Sequence, residues 1–158
     1  MLIGVLSDTH GRLHPDVRPA FLAAGVELIL HAGDVGDPGV LSMLTEVAPV
    51  LAVRGNVDDE GEMARLPEEI SITQEGTAIY MTHIGARPAE WLKGLPMPLP
   101  RVVICGHSHT PLLEEAGGVL FLNPGSAGTR PRFGGGLSAA LLYIGGESPR
   151  AEIITLGK

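Results

Sequence analysis

Two histidines, His107 and His109, stand one residue apart directly after an apolar run that begins at Val102. A glycine-flanked turn at the end of a buried strand does not need two imidazole rings for packing. Imidazole is the commonest protein ligand of metal ions. We therefore interpret this pair as part of a ligand site whose other members lie elsewhere in the chain.

Polar side chains of similar kinds follow four other apolar runs. They are Asp8, His10, Asp34, Asn56 and His83. Each lies at the carboxyl end of a predicted strand or just beyond it, and ligands of open α/β sheets bind at that edge. The seven side chains together predict one site at the edge of a sheet.

Seven oxygen and nitrogen donors exceed the roughly four ligands of a single zinc ion. Two ions that share one carboxylate would divide them into four protein ligands each, with a water or hydroxide left between the ions. Two-metal sites of this kind support in-line attack at phosphorus. The mixture of imidazole, carboxylate and amide favours manganese, iron, nickel, cobalt or zinc over calcium. We expect two divalent ions, with manganese first among these.

Each fragment taken alone has a simpler interpretation. An Asp-x-His pair can cap a helix, the GD and GN dipeptides are common in turns, and His83 alone could be a hydrogen-bonded core histidine. The metal interpretation depends on the fragments occurring together, in this order, each at a strand end.

Other residues allow two interpretations. Asn123 in NPGS could support the site or form a plain turn, and Arg130 and Arg132 could contact a substrate phosphate or face solvent. His31 could orient a ligand or be a core histidine. Trp91 could lie in a short lid helix, although local packing is the simpler interpretation.

The elements that must position these residues follow from the apolar pattern and from turn residues. Strands are predicted at 2–8, 26–34, 50–56, 77–83, 101–107, 119–125, 137–144 and 151–156, and helices at 16–25 and 38–48. The first third predicts parallel strands with right-handed connections. The consecutive strands of the last third predict a mixed sheet or a second sheet packed on the first. The proline-rich segment 92–101 predicts a surface loop.

Length and composition limit the class of protein. With 158 residues, 44% hydrophobic and 4% aromatic, the chain predicts one domain with an aliphatic core. A formal charge of −7 argues against nonspecific nucleic-acid binding. The sequence offers no run long enough for a membrane span and no secretion leader, and its single cysteine suits a reducing compartment. We expect a cytoplasmic protein in which Cys105 is structural.

The motifs SDTHG, AGDVGD, RGNVD, THIG and CGHSHTP, followed by NPGS, resemble in order those of the calcineurin-like metallophosphoesterases. The chain is most similar to the small YfcE-type phosphodiesterases, which are themselves similar to the retromer subunit vacuolar sorting protein 29. The resemblance covers residues 4 to about 132. It implies an α/β fold, a four-layer α/β/β/α sandwich of two mixed sheets.

The resemblance also implies a role for each motif residue. One ion would be held by Asp8, His10, Asp34 and His109, and the other by Asp34, Asn56, His83 and His107. Asp34 would bridge the ions, and the same seven residues would form the catalytic set. A hydroxide between the ions would attack phosphorus. Apart from the resemblance, we predict Asn56 and Arg132 as substrate contacts from their residue types and positions.

One departure from the larger family members narrows the expected activity. Many of them carry a histidine after the motif asparagine, where this chain has Val57. General acid catalysis typically contributes about 10²- to 10⁴-fold, so simple alkyl leaving groups should depart slowly. We expect a phosphodiesterase for small activated or aryl diesters, with weak action on monoesters.

Two other functions stay open. The chain could be an interaction scaffold similar to the retromer subunit, although a scaffold does not need all seven donors. It could also be a phosphomonoesterase, against which the residue at position 57 argues. Exposed strands near the C-terminus leave homo-oligomerisation open as well.

Overall fold

A computed structural model describes residues 1–131 and 135–157. Its two sheets of five strands pack face to face, and both mix parallel and antiparallel pairs. Helices cover the two outer faces. The predicted four-layer α/β/β/α sandwich is therefore confirmed. Arg132, a predicted substrate contact, lies outside the described residues.

The first sheet has the strand order β10-β9-β1-β2-β3. Its strands are β1 (Leu2–Leu6), β2 (Leu28–His31), β3 (Val50–Ala52), β9 (Leu137–Tyr143) and β10 (Arg150–Leu156). The first three are parallel to one another, as the β-α-β-α-β pattern predicts, and β9 runs antiparallel to both of its neighbours, β1 and β10. The carboxyl ends of β1, β2 and β3 therefore meet at one edge.

The second sheet has the strand order β4-β5-β6-β8-β7. Its strands are β4 (Glu69–Gln74), β5 (Thr77–Thr82), β6 (Val102–Ile104), β7 (Leu112–Ala116) and β8 (Val119–Asn123). The sequence pattern missed β4 and β7, the two edge strands. Their sequences, EISITQ and LLEEA, mix charged and apolar residues because an edge strand is only partly buried.

Two helices pack on the outer face of the first sheet. Helix α1 (Val17–Ala24) ends at Gly25, whose φ of 75° is left-handed. Helix α2 (Pro38–Thr45) begins after Asp37, whose side chain accepts a hydrogen bond of 2.7 Å from the backbone of Gly39. Both contribute buried side chains to the core beneath them. A 3-10 helix at Met63–Arg65 adds Met63 to the same cluster.

The fourth layer is thin. Helix α3 (Pro88–Trp91) covers the outer face of the second sheet, where the rings of Trp91 and Phe121 lie 5.8 Å apart between centroids. Leu95, from the proline-rich segment, is buried in the same cluster. The structure thus supports the packing interpretation of Trp91. None of the helices in the described residues is long and apolar enough to cross a membrane.

Several predicted strands extend too far toward the site. Strand β1 ends at Leu6, two residues before Asp8, and β2 and β6 each end three residues before a predicted ligand. The cause lies in the ligands themselves, because Asp8, Asp34 and His107 have positive φ angles. A left-handed residue cannot continue an extended strand.

Candidate metal centre

The seven predicted ligands lie together where the two sheets meet. Asp8, His10, Asp34 and Asn56 follow strands of the first sheet, and His83, His107 and His109 follow β5 and β6 of the second. A backbone contact across this cleft joins the sheets, because the His107 amide donates to Asp8 Oδ2 at 3.0 Å. The site therefore requires both sheets.

The backbone is strained at most of these residues. Six non-glycine residues of the described chain have positive φ, and five of them belong to the predicted set: Asp8 (55°), His10 (47°), Asp34 (53°), His107 (68°) and His109 (57°). Residues other than glycine rarely adopt this backbone conformation, and such strain concentrates at functional sites. The left-handed backbone ends the extended conformation at these residues.

Asp8, His10 and His109 form a first group of donors. The two imidazole Nε2 atoms are 3.2 Å apart, and they lie 3.8 Å (His10) and 3.1 Å (His109) from Asp8 Oδ1. Asp8 Oδ1 is buried and has no hydrogen-bond donor among the described residues. Such an oxygen, surrounded by imidazole nitrogens, suits a cation.

Asn56, His83 and His107 form a second group. Asn56 Oδ1 lies 3.0 Å from His83 Nε2 and 3.0 Å from His107 Nδ1. An amide oxygen and the unprotonated nitrogen of a neutral imidazole are both metal-ligating atoms, so a cation would suit these three atoms when both nitrogens are unprotonated. The group is polar and compact enough for one ion.

Asp34 joins the two groups through a single oxygen. Its Oδ2 lies 3.7 Å from His10 Nε2 in the first group and 3.4 Å from His83 Nε2 in the second. Nitrogen and oxygen ligands of one ion lie about 2.0–2.2 Å from it, which places neighbouring donors roughly 3–4 Å apart. One oxygen of Asp34 is therefore near enough to both groups to be a candidate metal ligand in each.

Both carboxylates use their second oxygen to hold their orientation. Asp8 Oδ2 accepts a 2.5 Å hydrogen bond from the Ser7 hydroxyl as well as the bond from His107 N. Asp34 Oδ1 accepts from the backbone of Val57 at 3.0 Å. In each case the other oxygen is left to face the imidazoles. Outer contacts of this kind orient metal ligands.

The tautomer of His83 follows from its surroundings. Its Nδ1 lies 2.7 Å from the carbonyl oxygen of Ala32, which can only accept, so Nδ1 carries a proton. In the neutral ring Nε2 is then unprotonated and suits a cation on the side of Asp34 and Asn56, and in the protonated ring Nε2 donates to Asp34. A backbone carbonyl behind a ligating histidine is a common way to fix the ring.

Burial and mutual interaction shift several ionisation equilibria. Burial raises the pKa of Asp8, against the Ser7 hydrogen bond and histidine charges. Burial also acts to raise the pKa of Asp34, but hydrogen bonds from His83 and Val57 outweigh it and the pKa is lowered. For His83, burial acts to lower the pKa, but the hydrogen bonds to Asp34 and to the Ala32 carbonyl outweigh burial and the pKa is raised. Perturbed groups gathered in one cleft are typical of a functional site.

Three of the predicted ligands are preceded by a glycine for reasons of space. A Cβ atom added at Gly33 would lie 2.6 Å from His83 Nδ1, and one at Gly55 would lie 2.1 Å from Asp34 Oδ1. At Gly106 it would lie 1.9 Å from the Ser7 hydroxyl oxygen. The GD, GN and GH dipeptides therefore allow the loops to approach one another, beyond any role in turning the chain.

Sequence reasoning missed Asp58, which holds two of the site loops together. It is 1% exposed, and its carboxylate accepts from Val35 N (3.0 Å), Gly36 N (2.8 Å) and Gly55 N (2.9 Å). The available indication was an aspartate three residues after a glycine, a common turn arrangement. Nothing local shows that two of its three donors come from a distant loop.

Asn123 supports the turn that carries the two paired histidines. Its Nδ2 donates to the carbonyl oxygen of Gly106 at 2.8 Å and to the Ser108 hydroxyl at 3.1 Å, and its Oδ1 accepts from Gly125 N at 2.9 Å. It thus forms the NPGS turn and also braces the site. The two sequence interpretations of this residue both describe part of its role.

His31 and Cys105 lie beside the centre without joining it. The His31 Nε2 atom bonds to Thr9 Oγ1 at 3.0 Å, and burial lowers the pKa of the ring to about 4. Burial raises the pKa of the Cys105 thiol to about 11, so it stays protonated near neutrality. The interpretation of Cys105 as structural agrees with this environment.

Two mixed sheets with carboxylates and imidazoles clustered between their edges define a metallophosphoesterase. The sequence matches the calcineurin-like phosphoesterase superfamily domain over residues 1–147. The chain belongs to this family and is a hydrolase of phosphoric esters.

Named relatives agree with this family. A probable metallophosphoesterase of Methanothermobacter thermautotrophicus is 38% identical over 166 residues, covering 99% of this chain and 94% of the relative. Phosphodiesterase YfcE of Escherichia coli K12 is 31% identical over 141 residues, 76% of each chain. Wild-type Vps29 of Entamoeba histolytica, solved in complex with Zn²⁺, superimposes with a TM-score of 0.76 at 25% identity, covering 98% of this chain and 99% of the other.

Proposed function

We propose that the protein hydrolyses small phosphodiesters with two divalent metal ions and a hydroxide held between them. The observation that carries the proposal is the position of Asp34 Oδ2, within 3.7 Å of His10 Nε2 and 3.4 Å of His83 Nε2. One carboxylate oxygen common to two donor groups is the arrangement that a pair of neighbouring ions needs. The ions would activate water as the nucleophile and neutralise charge on the phosphate oxygens.

The ligand assignment follows the two donor groups. One ion would be held by Asp8, His10, Asp34 and His109, and the other by Asp34, Asn56, His83 and His107. The chain's own residues supply position more than proton transfer. Ser7 and Val57 hold the carboxylates, and the Ala32 carbonyl holds the His83 ring.

The neighbourhood of Asn56 supports a preference for diesters with good leaving groups. Position 57 is a valine with 44% of its surface exposed, and it offers no proton to a departing oxygen. Asp58, the next residue, is buried with its carboxylate accepting three backbone hydrogen bonds. An aryl oxide leaves without a proton, whereas an alkoxide needs one.

The likeness to Vps29 supports one other candidate, an interaction scaffold with little or no catalysis. The seven donors argue against it, because a scaffold has no use for strained ligand backbones or for a buried carboxylate oxygen facing imidazoles. Strain of this kind persists only where the surrounding structure maintains it. We therefore place the enzyme first.

The test compares bis-p-nitrophenyl phosphate with p-nitrophenyl phosphate, using metal-stripped protein and Mn²⁺, Ni²⁺, Co²⁺, Zn²⁺ or Mg²⁺ added one at a time. We expect diester hydrolysis only with added metal, fastest with Mn²⁺, and slower hydrolysis of the monoester. Two bound ions without hydrolysis of either ester would exclude the enzyme and favour the scaffold. Faster monoester hydrolysis would show a phosphomonoesterase.

A further inference from the structure

A small cavity opens beside the metal centre on the His10 side. Its volume is about 170 Å³, and Asp8 and His10 are among the residues that line it. Arg12, Thr129 and Arg130 line the same cavity. Two arginines therefore share one cavity with two of the predicted metal ligands.

Neither arginine at this cavity is held in an ion pair within the described residues, whereas two arginines elsewhere are. Two other arginines are paired with glutamates, Arg18 with Glu46 and Arg54 with Glu68. Arg12 and Arg130 form no ion pair with any carboxylate in residues 1–131 and 135–157. In a chain with a formal charge of −7, two such cations beside one cavity make a local site for an anion.

The loop that carries Arg130 is fixed against the loop that carries Arg12. The Ser126 hydroxyl donates to the Asp8 carbonyl oxygen at 2.9 Å, and Ala127 N donates to the Ser7 carbonyl oxygen at 2.9 Å. A Cβ atom added at Gly128 would lie only 3.1 Å from the Thr9 carbonyl oxygen. The two segments are therefore in close contact just before each arginine.

We propose that Arg12 and Arg130 bind a second phosphate group of the substrate, separate from the diester that is cleaved. The inference rests on the proposed function, and it names the substrate class as phosphodiesters that also carry a phosphomonoester. Two guanidiniums match the nearly dianionic charge of such a group at neutral pH. Planar guanidinium forks also bind phosphate oxygens bidentately. Thr129, a residue type with a hydroxyl donor, lines the same cavity.

The experiment uses two chromogenic substrates that differ by one phosphate. These are thymidine 5′-(4-nitrophenyl phosphate) and the same compound with a 3′-phosphate. We expect the metal-loaded protein to prefer the phosphorylated compound by about tenfold or more in kcat/KM, chiefly through KM, the effect of about one charge-assisted hydrogen bond. Arg12→Gln and Arg130→Gln should each bring the ratio close to one.

Arg101→Gln is the matched control, because Arg101 is exposed and precedes β6, at the end of the strand away from the centre. It should keep the preference of the unchanged protein. No preference in the unchanged protein, or one that persists in both cavity variants, would overturn the inference. An equal loss of kcat/KM on both substrates in the cavity variants would also overturn the inference, because it would indicate general electrostatic attraction of the substrate.

A binding measurement separates this inference from the proposed function. Calorimetry with thymidine 3′,5′-bisphosphate and thymidine 5′-monophosphate needs no turnover. Tighter binding of the bisphosphate that is lost in Arg12→Gln would support the subsite even if neither ester is hydrolysed. Equal affinity for the two nucleotides would remove the subsite and leave the phosphodiesterase proposal intact.

Discussion

Each site carboxylate divides its two oxygens between support and the cleft. Asp8 Oδ2 is held by Ser7 and His107 N, and Asp34 Oδ1 is held by Val57 N. The supporting bonds fix both carboxyl planes and leave the remaining oxygens facing the imidazoles. Side chains held in this way lose less conformational entropy when they bind a ligand.

The sharing of Asp34 predicts an asymmetry between two substitutions. Asp34→Asn should lower metal content at both positions and abolish diester hydrolysis, whereas His109→Ala should deplete mainly one ion per chain. The measurement is metal content by mass spectrometry after dialysis against limiting Mn²⁺, with circular dichroism as the folding control. Two ions per chain in the Asp34→Asn protein would contradict the bridging assignment.

The buried ring of His31 predicts a pH dependence of stability. Its folded pKa is about 4 and its ordinary value is 6.5, so between these values the unfolded chain binds more protons. Stability therefore falls as pH drops from about 6.5 to 4, by up to about 3 kcal/mol from this residue. His31→Gln, which keeps a donor toward Thr9, should remove that part of the slope.

The check is urea denaturation of metal-free protein at several pH values, for both the unchanged chain and the His31→Gln variant. The difference in free energy of unfolding should narrow as the pH falls through this window. Parallel curves would show that His31 is not held neutral in the folded protein.

At the level of elements, the site is built from loops that follow strands. The strands place the starts of these loops at one edge. The loops hold one another through polar contacts: Asp58 joins the loop after β2 to the loop after β3, and Asn123 braces the turn after β6. Glycines at 33, 55 and 106 allow the close approach. A loop site of this kind depends on buried side chains that ligate nothing.

Asp58→Asn tests this dependence. The amide keeps one acceptor oxygen and replaces the other, so at least one buried N–H from Val35, Gly36 or Gly55 loses its partner, at a cost of about 1–3 kcal/mol. Metal affinity should fall by roughly 10- to 100-fold, as is typical when outer contacts of ligands are lost. Asp59→Asn is the control, because it removes the same charge from an exposed side chain next to Asp58 in the sequence.

Calorimetric titration with Mn²⁺ and urea denaturation together measure both effects. If Asp58→Asn and Asp59→Asn bind Mn²⁺ equally well, charge alone matters and the bracing role is wrong. A fall in stability with unchanged metal affinity would restrict Asp58 to a structural role.

At the scale of the whole molecule, the apolar layer between the sheets keeps the two halves of the site in register. The first sheet contributes four of the seven donors and the second contributes three. The layer is aliphatic, with residues such as Ile3, Val5, Ile104 and Leu122 almost fully buried. Close packing transmits small changes in side-chain volume.

Leu122 and Leu113 offer a matched pair for this layer. They are direct cross-strand partners in β8 and β7, yet Leu122 is 1% exposed and Leu113 is 43% exposed. Leu122→Ala should lower the free energy of unfolding by about 2–5 kcal/mol, and Leu113→Ala by less than about 1 kcal/mol. Chemical denaturation measures both, and similar losses would contradict the view that the layer ends at β8.

The sequence by itself predicted which polar side chains would gather at one edge, and it predicted eight of the ten strands in the described residues. Alternation of apolar runs with Asp, Asn and His is a local pattern, so it is visible in the chain. Edge strands β4 and β7 escaped prediction because partial exposure removes the apolar run that marks a strand. The predicted strands also ran into the ligands, because apolar patterns do not show where φ becomes positive.

The pattern along the chain does not divide the donors into two groups; the family resemblance implied that division, and only the tertiary structure gives the contacts behind it. His107 and His109 stand one residue apart but face different groups, one with Asn56 and the other with Asp8. The support from Asp58 and the cavity that Arg12 shares with Arg130 likewise depend on contacts between distant segments. Such contacts arise from the packing of two sheets, and no periodicity along the chain encodes them.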